Sequence, residues 1–359
     1  MRYARMAVSP LAFYRGAALI MASDLASSGH TGIIAQLCGD AHLSNFGLFS
    51  TPERHLIFDI NDFDETLPGP FEWDVKRLAA SFAVAGRHRG FSAEEERACV
   101  VAAAHGYRTA MRRAATSTVL DAWYDRLDAE RARVSIRQAQ LDQLVGDEEV
   151  RRLDATIEKA RRRDQRKAFK KLVRVVDGRL RIVAAPPLIV PVEELLREAG
   201  RAADEADVMH QVLGAYRTTL VGERHPFAEY RYRHMARKVV GVGSVGTRAW
   251  VILFSGRDDD DPLLLQAKEA QASVLERFLG PSEFDDHAER VVRGQRLMQA
   301  SSDIFLGWQS VIGLDGQHRD FYIRQLQDGK GGIDPETMTV RGATLYARCL
   351  LYTSDAADE

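Results

Sequence analysis

Asp40, Asn45 and Asp62 are the residues whose types and spacing most invite a chemical reading. The first two sit in Gly39-Asp40-Ala41-His42-Leu43-Ser44-Asn45-Phe46, and the third in Leu56-Ile57-Phe58-Asp59-Ile60-Asn61-Asp62-Phe63-Asp64-Glu65. An acid, an amide five residues later and an apolar alternation ending in further acids make an order suited to phosphoryl transfer. A carboxylate such as Asp40 can accept the proton of a hydroxyl nucleophile, and oxygens such as those of Asn45 and Asp62 are the hard ligands Mg2+ prefers. His42 joins Asp40 as a catalytic candidate, and Asp59 stands as a substitute metal ligand. Asp62 is favoured over Asp59 because it falls where a strand ends and Phe63 follows.

These residues need a scaffold. Ser9-Pro10 predicts a helix start, with serine as cap and proline in the first turn, running to about Ser27. Leu48-Phe49 and His55 to Ile60 read as two strands joined by Thr51-Pro52-Glu53-Arg54. Glu72 opens a helix that should end near Gly86 or Gly90, and Ser92 with Glu95 forms a capping box for a longer one. Helical segments continue to about Lys171, and Asp177-Gly178 marks a hairpin.

Beyond about Lys238 the pattern changes. Gly241, Gly243, Ser244 and Gly246 punctuate a turn between two apolar runs, and a third run, Leu263 to Lys268, follows. A dinucleotide fold would instead pass from strand through glycines into a helix. Glycines between strands and a lysine on the third strand suit nucleotide phosphates: backbone N–H groups approach the oxygens without a Cβ in the way, and the lysine supplies charge. Such a lysine ordinarily pairs with a glutamate of the next helix, for which Glu276 and Glu289 are both candidates. Two helical stretches, Ala270 to Leu279 and Asp285 to Ser301, and a strand at Phe321 to Leu326 complete the series.

Composition sets outer bounds. In 359 residues, 45% hydrophobic and 28% charged with a net charge of −2, a sizeable core is expected and a dominant nucleic-acid role is not. No apolar run approaches the ~18 residues of a membrane span. The three cysteines form no disulfide framework or metal pair, so a cytoplasmic location is expected. The last eleven residues, 349–359, read as the translation of a sequencing adapter; they are expected to be foreign, with the natural chain continuing past about Arg348.

The run Gly-Asp-x-His-x-x-Asn resembles the catalytic loop of aminoglycoside and other small-molecule kinases, in which the Asp is the base. Their motif continues to an Ile-Asp-Phe-like metal site and a helix with Asp-Leu-Ala, paralleled here by Asp62-Phe63 and by Asp74 to Ala79. That resemblance implies that Asp74 holds the catalytic loop. The order is reversed: in ordinary kinases the glycine loop and lysine come first, whereas here they follow by about 200 residues. Longer segments, CGDAHLSNFG (38–47), FDINDFDETLPGPFEWDVKRLAAS (58–81), RKVVGVGSVGTRAWVILF (237–254) and GQRLMQASSDIFLGW (294–308) among them, resemble the bacterial family called domain of unknown function 2252, over about Arg2 to Lys330. That family implies no particular activity.

The expected fold is therefore α+β, two-lobed and protein-kinase-like in circularly permuted order. Residues 1–220 would form a helical lobe with the catalytic loop, and 221–348 a β-rich nucleotide-binding lobe. The expected activity is ATP- and Mg2+-dependent transfer to a small-molecule or protein acceptor. Lys268 and the Gly241–Gly246 loop would hold the phosphates. Two alternatives stand beside it: a metal-dependent hydrolase at Asp40, His42, Asp59 and Asp62, and a non-catalytic nucleotide-binding module.

Overall fold

In the computed structural model the chain is α+β, and residues 2–163, 165–198, 213–222, 224–239, 247–313, 316–326 and 329–350 are described. Its strands are β1 (Ile34–Leu37), β2 (Phe46–Ser50), β3 (Leu56–Ile60), β4 (Leu67–Pro70), β5 (Leu127–Asp128), β6 (Val173–Val176), β7 (Arg179–Ile182), β8 (Ile189–Pro191), β9 (Arg231–Lys238), β10 (Ala249–Ser255), β11 (Pro262–Ala270), β12 (Gly307–Ile312) and β13 (His318–Gln325). The principal sheet is antiparallel throughout, in the order β12-β13-β11-β10-β9-β8. Its alternating side chains make two faces. One carries Ile252, Phe254, Leu265 and Ile323 into a core with Tyr216, Phe227 and Phe305. The other carries Lys268, Tyr322 and Arg324 towards the first part of the chain.

That first part is built on two long helices. Glu72–His88 buries Trp73, Arg77, Leu78, Ser81, Phe82 and Ala85, a stripe at helical spacing. Ser92 caps Ala93–Ala114 through the expected box: its Oγ accepts from the Glu95 N–H at 3.3 Å, and the Glu95 carboxylate accepts from the Ser92 N–H at 2.8 Å. Helix Val340–Leu350 packs on both of them, and Tyr346 donates its hydroxyl proton to the Leu43 carbonyl at 2.9 Å. The chain crosses between its two parts more than once. β8, expected in the first unit, forms the edge of the principal sheet beside β9, while Val340–Leu350, expected in the second, packs on the first.

Several expectations need correction. The helix read from Pro10 to about Ser27 is two helices, Pro10–Arg15 and Ala18–Ala26. Ser9 caps the first as expected, accepting from the Ala12 N–H. The break comes at Gly16, where a Cβ would lie 2.7 Å from Met6, so the chain turns under that side chain. The helix read from Ala270 to Leu279 shrinks to Glu276–Leu279, because Ala270 pairs with Asp320 as the last residue of β11. The Asp177-Gly178 hairpin forms as read, with φ of 50° and 72° at those residues.

Candidate active site

The two acidic stretches are brought together by the backbone. β2 and β3 pair antiparallel from Phe46↔Ile60 to Ser50↔Leu56. The Asn61 N–H donates to the Asn45 carbonyl at 2.7 Å, placing the residue before Asp62 against the amide of the first motif. Gly39 has φ of +81°, and a Cβ there would meet the Glu65 carbonyl oxygen at 2.2 Å. Only glycine allows both the left-handed backbone and this approach.

Asp40 pairs with Arg77 of the Glu72–His88 helix; the guanidinium Nε donates to Oδ1 at 2.7 Å, and Nη2 reaches the same oxygen. The Arg77 side chain is only 3% exposed and also lies over the Tyr14 ring, 4.6 Å from its centroid. Burial pushes the Asp40 carboxyl up to about 7, against the opposing pull of Arg77. His42 Nε2 sits 3.8 Å from Asp40, while its Nδ1 accepts the Ser44 N–H at 3.2 Å and caps the short turn Leu43–Asn45. Burial, with Arg15 and Arg77 nearby, holds His42 well below its usual range, so its ring is neutral. Asn45 donates Nδ2 to the Asp40 carbonyl at 2.6 Å, which ties the amide to the start of the loop. Asp74 accepts the N–H groups of Cys38 and Gly39 at 2.7 and 3.1 Å and so anchors the start of the loop. Burial raises the Asp74 carboxyl to about 6 despite those bonds.

The other half of the site arrives on the principal sheet. Lys268 of β11 places Nζ 2.8 Å from Asp64 Oδ2 and 3.5 Å from Asp62 Oδ1. Tyr322, opposite Lys268 in register, donates its hydroxyl proton to Asp64 Oδ1 at 2.6 Å and lies beneath the ammonium, 5.2 Å from ring centroid to Nζ. Burial alone would raise the Asp62 carboxyl, but the charges of Lys268, Arg324 and Lys330 hold it below the usual range. Burial would likewise depress Lys268, yet Asp62 and Asp64 lift it well above its ordinary value. Asp62 Oδ1 is buried and accepts no hydrogen bond among the described residues.

The glutamate expectation fails here. Glu276 accepts the Ser273 N–H at 2.9 Å and lies 3.8 Å from Arg290, while Glu289 pairs with Arg293 on its own helix. Neither is within ion-pair distance of Lys268, whose partners are Asp62 and Asp64. Arg290, buried on helix His287–Met298, donates instead to the carbonyls of Asp64, Thr66 and Gln271 and clamps the acidic loop from the sheet side. Glu269 points to the face opposite Lys268, as strand alternation requires, and pairs with Arg319 at 2.9 Å.

Asp59 makes other contacts. It is 2% exposed, and its two oxygens accept the N–H groups of Ile60 and Ala300 at 2.7 and 3.2 Å. Burial raises it to about 7. Gly241, Gly243, Ser244 and Gly246 lie outside the described residues; the strands before and after them, β9 and β10, pair antiparallel. Among the described residues no group of three or more His, Cys, Asp or Glu side chains is arranged to hold a metal ion. None of the described helices is long and apolar enough to cross a membrane.

Sequence reading missed Arg77, Asp64, Tyr322, Arg324 and Lys330. Arg77 carried a signal, since it falls one helical turn after Asp74. Lys330 carried none: the Gly331–Leu48 bridge, with bonds of 2.7 and 3.0 Å, docks its backbone beside β2. Burial, with Arg324 and Lys268 close by, lowers the Lys330 ammonium to about 7.

An α+β chain in which an acid–lysine cleft joins a helical assembly to an antiparallel sheet is the class of protein these features define. It belongs to the family described as an uncharacterized protein conserved in bacteria, DUF2252, which matches residues 1–353. Neither the curated proteins nor the solved structures yield a match.

Proposed function

We propose that the protein is a Mg-ATP-dependent phosphotransferase with a kinase-like, circularly permuted, two-lobed fold, acting on a hydroxyl-bearing acceptor. The observation that carries this reading is the 3.5 Å approach of Lys268 to Asp62, from stretches about 200 residues apart in sequence. A metal-binding carboxylate and a phosphate-binding lysine must share one cleft if they serve one triphosphate. Further support comes from order along the sheet: β9 and β10 flank the glycine-rich connection, Lys268 lies on the third consecutive strand, and a helix follows. A reversed order of the two halves is compatible with one architecture when the joined ends lie near each other on the surface.

The side chains fit the implied groups. Asp62 Oδ1 is a buried acceptor without a hydrogen bond, and Asn45 Oδ1 remains after Nδ2 is engaged. Mg2+ is commonly held by one or two such oxygens together with substrate phosphates, and it would neutralise charge on those phosphates. Asp40 takes the acceptor hydroxyl proton as the acceptor oxygen bonds to the γ-phosphorus and the bond to the ADP oxygen breaks. A carboxyl near 7 suits a base working at neutral pH. Arg77 keeps Asp40 oriented, and Lys268 holds the nucleotide phosphates once they draw it from the acidic pair.

The hydrolase alternative has less behind it, because Asp59 is engaged by backbone amides away from Asp40. Thermal-shift titration of the full chain with Mg-ATP, with wild type and Asp40→Asn in parallel, tests the proposal. Both should be stabilised by nucleotide, and only wild type should transfer phosphate to an acceptor or to itself. Absence of any nucleotide-dependent shift in wild type would sink it. Binding without transfer to any acceptor would favour the non-catalytic module, and tightly held transition metal without nucleotide binding would favour the hydrolase.

A further inference from the structure

Two cations beside Asp62, Arg324 and Lys330, make no ion pair among the described residues, although the carboxylates of Asp62 and Asp303 lie near both. Arg324 leaves β13 on the same sheet face as Lys268, since Lys268 stands opposite Tyr322 and Gln266 opposite Arg324. Lys268 and Arg324 flank the Tyr322 ring at 5.2 and 5.6 Å from its centroid. Arg324 donates Nη1 to the Asn61 carbonyl at 3.0 Å, while its Nε is buried without a partner. Lys330 has its carbonyl held by Arg163 at 3.1 Å, and the following glycine is bonded to Leu48, so its backbone is fixed next to the Asn61–Asp62 turn. Its ammonium makes no hydrogen bond or ion pair among the described residues, yet it lies close enough to interact with Lys268, Arg324 and Asp62.

Charges taken from water are costly unless they are paired. Here Lys268, Arg324 and Lys330 face Asp62, Asp64 and Asp303, and of the three cations only Lys268 is within ion-pair distance of a carboxylate among the described residues. Arg324 and Lys330 are thus left as basic groups without an ion pair among the described residues, adjoining Asp62 Oδ1, which accepts no hydrogen bond there. A lone anion would satisfy the cations but repel Asp62, and a lone divalent cation would do the reverse. A phosphate carrying a divalent cation answers both needs.

We propose that Arg324 and Lys330 are the receptor for the terminal phosphate of the nucleotide, beside Tyr322 and Lys268. The inference rests on the Mg-ATP reading above and adds to it a basis for telling ATP from ADP. The guanidinium N–H groups and the ammonium suit the γ-phosphate oxygens, and a positive group placed there also favours the charge that develops on them during transfer. ADP lacks that group and leaves both cations unmatched.

Calorimetric titration of the full chain with Mg-ATP and with Mg-ADP, for wild type, Lys330→Met, Arg324→Met and Lys330→Arg, provides the test. Wild type should bind Mg-ATP at least about tenfold more tightly than Mg-ADP, in line with one charge-assisted contact. Each methionine variant should lose most of that preference while holding Mg-ADP within about twofold, and Lys330→Arg should keep it. Thermal melting checks that each variant is folded; Lys330→Met removes no hydrogen bond that this side chain makes among the described residues. Equal weakening of both nucleotides, or an unchanged ATP-to-ADP ratio in both methionine variants, would overturn the receptor while leaving the Mg-ATP reading intact. Failure of wild type to bind either nucleotide would overturn both.

Discussion

The Arg77 guanidinium and the Asp40 carboxylate form an ion pair beneath the first acidic loop, with Nε donating to Oδ1 at 2.7 Å. The arginine is almost fully enclosed, and its Nη1 has no hydrogen-bond partner among the described residues. Asp40 is therefore held by a group that cannot leave its place in the helix stripe. Orientation of the Asp40 carboxylate and packing of the Glu72–His88 helix are one and the same contact.

Removing that contact should be costly. Arg77→Met leaves Asp40 without its counter-charge in a buried setting, and breaking such a pair costs about 3–5 kcal/mol. Urea unfolding should show the loss in midpoint without a change in slope. Since Arg77 opposes the effect of burial on Asp40, the variant's carboxyl should also titrate higher than about 7. A two-dimensional NMR titration of the Asp40 carboxyl reads this directly, and an unchanged value would show that Arg77 is not its electrostatic partner.

Gly39 and Gly90 offer a paired test of the loop contact. Both have positive φ, +81° and +76°, but a Cβ on Gly90 meets nothing within 4 Å, whereas on Gly39 it strikes the Glu65 backbone. Gly90→Ala should cost about 1–2 kcal/mol from backbone conformation alone. Gly39→Ala should cost at least about 2 kcal/mol more, because the acidic loops must separate. Thermal unfolding of the two variants makes the comparison, and equal costs would argue that the Gly39–Glu65 approach is not rigid.

Asp59 should shape stability against pH. Its folded value is raised to about 7 from an ordinary 3.8, so between those limits the folded chain binds more protons than the unfolded one. Its contribution is complete below about pH 4, falls as pH rises to about 7, and is flat beyond. Replacing it by Asn should flatten that part of the profile, measured as urea midpoints from pH 5 to pH 8. A profile with the wild-type slope would assign the dependence to Asp40 or Asp74 instead.

Lys268 and Asp64 should be strongly coupled. A double-mutant cycle with Lys268→Met and Asp64→Asn is expected to give an interaction energy of about 0.5–3 kcal/mol in urea unfolding. The same cycle with Glu276→Gln or Glu289→Gln in place of Asp64→Asn should give none, since neither glutamate reaches the lysine. Coupling to either glutamate would restore the expectation drawn from the sequence.

The contrast with that expectation is instructive. Asp40, Asn45 and Asp62 were legible because one short hairpin brings them together, and local backbone rules govern a hairpin. The Ser92 box and the Asp177-Gly178 turn were legible for the same reason. The partner of Lys268 was not, because no local rule links β11 to a loop about 200 residues earlier. Arg324 and Lys330 reach the cleft only through strand register and the Gly331–Leu48 bridge, both set by long-range packing. The break at Gly16 likewise depends on where Met6 lies, not on the sequence of the helix itself.

Lys268 carries one more consequence. By pairing with both Asp62 and Asp64 it acts as a resident counter-ion between the two carboxylates. Bare Mg2+ would have to displace a tethered charge that never diffuses away, so on its own it should be a poor competitor. A nucleotide that brings both the metal and a new set of oxygens for the lysine exchanges every partner at once. On the proposed Mg-ATP reading, the cleft would admit metal and polyphosphate as a single unit more readily than either alone.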